Sequence, residues 1–153
     1  MASTEPEGIA PVLLTSDQLA PTAARWPLHA ALDLGALLTA PGCGRAWTQA
    51  LLWEWRLAHL ADTAQVVVSE LLTNAVQASR GLHRAAIRLS LASDRERLLI
   101  FVRDFDPGAP APRHVSDDDE NGRGLMLVEA ISDRFGWYRA TDGTPSKVVW
   151  AAL

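Results

Sequence analysis

Val68-Ser69-Glu70-Leu71-Leu72-Thr73-Asn74-Ala75-Val76 is the stretch on which the reading of this chain turns. It predicts a helix from Asp62 to Ser79, with Asp62 as N-cap and Gly81 just past the end. Val68, Leu72, Ala75 and Ser79 fall on one side of that helix. Glu70 and Asn74 are one turn apart, about 40° around the axis, and fall on the other. The apolar side can pack on a sheet while a carboxylate and an amide point into a cleft. A carboxamide oxygen is a hard ligand suited to Mg2+, which takes few protein ligands because it keeps water and phosphate oxygens. A carboxylate one turn away can activate a hydroxyl or a water. Taken alone, an exposed Glu and Asn on an amphipathic helix is the ordinary reading.

On the N-terminal side, residues 1–27 carry Pro6, Pro11, Pro21 and Pro27 without sustained periodicity and read as an irregular lead-in. From Leu28 the chain alternates: Ala30, Leu32, Leu34, Ala36 and Leu38 share one face, and His29, Asp33 and Gly35 the other. That is a half-buried strand. Pro41-Gly42-Cys43-Gly44 breaks it, and residues 45–58, free of Gly and Pro, predict a helix. On the C-terminal side, residues 85–91 and 97–104 predict two strands joined by Ser93-Asp94-Arg95-Glu96 as a hairpin loop. Residues 105–121 form a long polar loop with the acidic run Asp117 to Glu120. A helix is expected from Gly124 to Asp133, then strands near 135–140 and 147–153. This order defines an α+β fold, a two-layer sandwich with helices on one face of a mostly antiparallel mixed sheet. The folded domain is expected over residues 28–153.

Two further segments carry chemistry. In Val102-Arg103-Asp104-Phe105-Asp106-Pro107-Gly108, alternation points Asp104 to the side of Ile100 and Val102, inward. A carboxylate there needs a donor, which an adenine amino group would supply. In Asn121-Gly122-Arg123-Gly124-Leu125-Met126-Leu127-Val128, glycines at a loop-to-helix junction let backbone N–H groups approach phosphate, and the helix N-terminus adds a favourable field. Each has an ordinary reading by itself, as a turn and as a helix start. Their fixed order, with strands and a long loop between them, is what gives them weight.

Together the three segments resemble the GHKL superfamily of gyrases, histidine kinases, mismatch-repair ATPases and anti-sigma kinases. Glu70-xxx-Asn74 resembles its N box, Asp104 to Gly108 the first glycine box, and Gly122-Arg123-Gly124-Leu125 the second. More narrowly, residues 68–76, 122–128 and the ending Lys147-Val148-Val149-Trp150 are similar to the short bacterial anti-sigma regulators. The resemblance implies ATP and Mg2+ as cofactors, with Asn74 on the metal and Glu70 as the base that activates a partner's serine or threonine. It implies that Asp104 binds the adenine amino group and Gly108 lines the pocket. Gly122, Arg123, Gly124 and Leu125 would border the phosphates, with residues 109–121 as a lid. The implied protein is an anti-sigma factor serine/threonine kinase. Its partners would be a sigma factor and an anti-anti-sigma antagonist, and a homodimer is expected. The alternative is a non-catalytic ATP-binding module that only sequesters a partner. Two departures favour that alternative: Asp106 replaces the first glycine of the usual box, and Ser146-Lys147-Val148 replaces Gly-Lys-Thr before Val-Trp, removing a hydroxyl unless Thr144 substitutes for it.

Bulk properties narrow the class. The chain has 153 residues, enough for one core. A net charge of −4 leaves no basic footprint for nucleic acid. Cys43 is the single cysteine, so no disulfide forms within the chain, and a reducing cytoplasm is expected. His29, His59, His83 and His114 are scattered, so no structural metal site is expected. Nothing resembles a signal peptide or a membrane span. Trp47, Trp53 and Trp55 read as core or partner surface, and His59 and His83 as surface residues.

Overall fold

The structure, a computed structural model, describes residues 25–80, 86–105, 120–140 and 146–153. Five strands form one sheet: β1 (Leu28–Gly35), β2 (Ala86–Ser93), β3 (Leu98–Asp104), β4 (Arg134–Arg139) and β5 (Lys147–Ala152). Their spatial order is β1-β2-β3-β5-β4, and all four pairings are antiparallel. Three helices of more than one turn accompany them among the described residues: α1 (Ala40–Glu54), α2 (Ala61–Ala78) and α3 (Glu120–Ile131). This is the expected α+β layout: the sheet, expected to be mostly antiparallel, is antiparallel at every pairing among the described residues.

Alternation along the strands separates two cores. Ile87, Leu89, Leu91, Leu98, Ile100, Val102, Val149 and Ala151 face α1 and α2 and join Val68, Leu71, Leu72 and Ala75 in the main core. The intervening Ala92, Leu99, Phe101, Val148 and Trp150 form a second buried cluster with Trp26. Trp26 falls inside the expected lead-in, yet it is 4% exposed and Arg97 lies 5.2 Å over its ring. Both faces of β3 and β5 are therefore apolar, which is why their sequences read as near-continuous hydrophobic runs.

Several boundaries differ from the sequence reading for physical reasons. Strand β1 ends at Gly35, so Leu38 does not share its face and stands exposed. Helix α1 starts at Ala40 and takes in the Pro41 to Gly44 segment that was expected to break the chain. Pro41 is tolerated because first-turn N–H groups need no helical acceptor. Gly44 is required by packing. A Cβ there would overlap Leu72 Cδ1 and sit 3.1 Å from Val68 Cγ1, both side chains of α2. Helix α1 ends at Glu54 rather than near 58, through Arg56 in the left-handed region (φ 60°) and a Leu57 N–H to Leu52 carbonyl bond of 2.8 Å. Buried Leu52 and Leu57 complete this Schellman-type stop with an arginine where glycine is usual.

Asp62 is not the N-cap of α2. A short 3-10 turn (Ala58–Leu60) runs directly into the helix, and Asp62 lies in its first turn, where a carboxylate still favours the helix dipole. Helix α3 begins at Glu120, four residues before the expected Gly124, and Val128 anchors it in the main core.

Gly44→Val should destabilise the fold by about 1–3 kcal/mol through overpacking against α2. Gly42→Ala, whose Cβ would meet only Arg45 Nη2 at 3.6 Å, should be neutral or stabilising by up to about 1 kcal/mol. Urea denaturation of both variants checks the pair.

Candidate functional site

The rotation of α2 decides what it offers to the site. Val67, Val68, Leu71, Leu72, Ala75 and Val76 are buried, which turns one broad side of the helix onto the sheet and α1. Glu70 and Asn74 are left half-buried, one turn apart, on the side away from Val68 and Leu72. Arg45 of α1 donates to Ser69 Oγ at 2.7 Å, and Thr73 Oγ1 donates to the Ser69 carbonyl at 2.7 Å. These bonds tie down the polar residues adjoining Glu70 and Asn74.

Helix α3 lies alongside α2. Gly124 is buried at this contact, and a Cβ on it would overlap Glu70 Oε2. Two segments 54 positions apart in the chain are thereby brought together, with a bare backbone pressed against a carboxylate. Gly122 lies in the first turn of α3, where N–H groups have no intrahelical acceptor and can meet an anion. The glycines sit within the first turns of the helix rather than in a loop before it. Arg123 is exposed, while the side chain of Leu125 is 4% exposed and belongs to the main core.

Asp104 ends β3 on the helix-facing side of the sheet, as alternation required, and α2 lies over that strand. It is fully buried. Its register partner across the strand pair is Lys147, whose Nζ donates to Asp104 Oδ1 at 3.0 Å. Both side chains are 1% exposed. Lys147 lies outside the three nucleotide-box segments. Its signals were available: it is the only lysine in the chain, and alternation from Val149 and Ala151 points it inward.

Val148 points the other way. Its side chain joins Phe101 and Trp150 in the second core, on the far side of the sheet from Asp104. The replacement of threonine by valine at this position therefore removes no hydroxyl from the site, contrary to expectation. Gly108, Asp106, the 109–119 part of the lid and most of the acidic run fall outside the described residues.

The other surface features lie elsewhere. Trp47 and Trp55 pack partly against the core, whereas Trp53 is 76% exposed beside a shallow hollow with Glu54, Arg56, Ala58 and His59. Cys43 is exposed. Among the described residues, no group of three or more His, Cys, Asp or Glu side chains could hold a metal ion, and no helix is long and apolar enough to cross a membrane.

A carboxylate against a glycine-bearing helix start, with a carboxamide one turn along the same helix and an antiparallel sheet beneath, is the kind of α+β site that suits a nucleotide phosphate and its cation. A family model of the histidine kinase-like ATPase domain matches residues 42–151, and the chain belongs to that family. The match spans from the first turn of α1 to β5 and so includes all three segments that resemble nucleotide boxes. No curated protein matches the sequence. The residues present fit the family's nucleotide. Asn74 offers an oxygen suited to Mg2+, Gly122 offers its backbone N–H at a helix start, and Asp104 offers a buried acceptor.

Gly124→Ala should displace the Glu70 carboxylate while moving stability by no more than about 1 kcal/mol, because alanine also favours the helix. The check is the side-chain carboxyl resonance of Glu70 by NMR. A resonance unmoved by the substitution would mean that the two residues do not touch.

Proposed function

We propose that this chain binds Mg-ATP and acts as an anti-sigma factor serine/threonine kinase. It sequesters a sigma factor and transfers phosphate to a serine or threonine of a small antagonist protein. The observation that carries the reading is the contact between Glu70 of α2 and the bare Gly124 of α3, with Asn74 one turn further along. It supports a reading in which Glu70 is the base, Asn74 the metal ligand, and the start of α3 the phosphate-binding element. The narrower assignment to the anti-sigma regulators draws support from the resemblance of residues 68–76, 122–128 and 147–150.

Each residue then has one task. Glu70 accepts the proton of the incoming hydroxyl, so that oxygen can attack in line. Asn74 contributes its carboxamide oxygen to Mg2+. The first-turn N–H groups of α3 would hold phosphate oxygens. Asp104 accepts from the adenine amino group, and burial under α2 keeps that contact out of water. Mg-ATP, when bound, would supply the γ-phosphoryl group, with ADP as the leaving group, and the cation that offsets its charge.

The non-catalytic alternative loses one of its two supports. Val148 lies on the far face of the sheet, and only Asp106 still argues for a degenerate pocket.

Two variants separate binding from chemistry. Glu70→Gln should bind ATP like the native chain, measured by calorimetry with Mg2+, and should transfer phosphate to a cognate antagonist about 10²–10⁴-fold more slowly. Asn74→Ala should lose the Mg2+-dependent part of ATP affinity. Phosphotransfer by Glu70→Gln at the native rate would remove Glu70 as the base. Tight ATP binding with no transfer to any antagonist would favour the sequestering module.

A further inference from the structure

The buried pair of Asp104 and Lys147 is expensive for what it contributes to folding. Desolvating two charges offsets most of their mutual attraction, and apolar residues of similar volume often stabilise a fold as well or better. The surroundings are apolar: Ile100, Val102, Val149 and Ala151 line the same face. The chain nevertheless places its one lysine there, 1% exposed, at the start of β5 and opposite the last residue of β3.

The pair has a chemical consequence for base recognition. An ionised carboxylate only accepts hydrogen bonds, which suits a 6-amino group; a protonated carboxyl also donates, which suits a 6-oxo group. A buried carboxyl without a cation is driven toward the protonated form. Helix α2, packed over β3, contributes no lysine or arginine, and its acidic groups are Asp62 and Glu70. Arg103, next to Asp104 in the chain, points to the opposite face, where its Nε donates to Ser146 Oγ at 3.1 Å and its guanidinium lies 5.6 Å over the Phe105 ring. Arg123 of α3 is exposed. Among the described residues, Lys147 donates to the Asp104 carboxylate at 3.0 Å.

We infer that Lys147 is a positioning residue that holds Asp104 as an ionised acceptor, and that this makes the site select a 6-aminopurine over a 6-oxopurine nucleotide. The inference rests on the reading of Asp104 as the base-binding carboxylate of an ATP site. It goes further by assigning base selectivity to a residue that does not itself need to touch the base.

The test is calorimetry of the full chain with ATP and with ITP, each with Mg2+ at neutral pH. The native chain should prefer ATP by about tenfold or more, the usual consequence of leaving a buried polar group unmatched. Lys147→Met should narrow that ratio to below about threefold or invert it, because Asp104 then takes a proton. Lys147→Arg should keep the native order. If Lys147→Met does not fold, as judged by circular dichroism, Lys147→Gln replaces it, keeping a donor but not the charge, with the same narrowing expected. A neutral variant that keeps the native ratio, whatever its absolute affinity, overturns the inference and leaves ATP binding intact. An arginine variant that narrows the ratio as methionine does also overturns it, since shape rather than charge would then be responsible. A native chain that binds neither nucleotide overturns the ATP reading itself, and this inference with it.

Discussion

Helix α2 has to satisfy two surroundings at once, and the rest of the molecule is arranged around that constraint. Its buried side is wide, from Val67 and Val68 through Leu71 and Leu72 to Ala75 and Val76. Burying that side is worth roughly 1.5–3 kcal/mol for each large side chain removed from water. Rotating the helix to expose Leu72 would forfeit this, so Glu70 and Asn74 are held on the open side by hydrophobic burial. Gly44 lets α1 approach closely enough to lock that rotation from the other flank. Glu70 and Asn74 are thus positioned by apolar residues of their own helix and its neighbour.

The same logic applies where α3 meets α2. Leu125 and Val128 anchor α3 in the main core. That anchoring brings the buried backbone of Gly124 against the carboxylate of Glu70. A side chain at 124 would stand where the carboxylate stands, so glycine here serves close approach. Leu125, grouped with the phosphate-bordering segment by resemblance, packs its side chain into the main core. The sheet adds the third component from beneath, with Asp104 and Lys147 paired across β3 and β5 on the side that α2 covers. Trp26, Phe101, Val148 and Trp150 close the opposite face and make these strands internal on both sides.

Most of the fold was legible from residue periodicity. Strands β2 and β3 fell within one or two residues of expectation because Ile87, Leu89, Leu91 and Leu98, Ile100, Val102 alternate cleanly. Helix α2 was legible for the same reason at the helical period. The misreadings cluster at glycines and helix ends. Gly42 and Gly44 look like a break in one dimension, yet in space they are the flat side of a helix pressed on its neighbour. Leu38 continues the alternation of β1 in sequence, but the strand has already ended at Gly35. Arg56 occupies a left-handed stop that carries no glycine to announce it.

What the residues alone determined was which side chains could do chemistry and which way each would point: Glu70 with Asn74 by helical spacing, and Asp104 inward by strand alternation. Local geometry suffices for that, because it depends only on backbone period. What only the tertiary structure decided was who meets whom. Gly124 against Glu70, Lys147 against Asp104, and Val148 turned away from both are consequences of strand register and helix packing. Those are set by burial summed over the whole core, which no local pattern encodes.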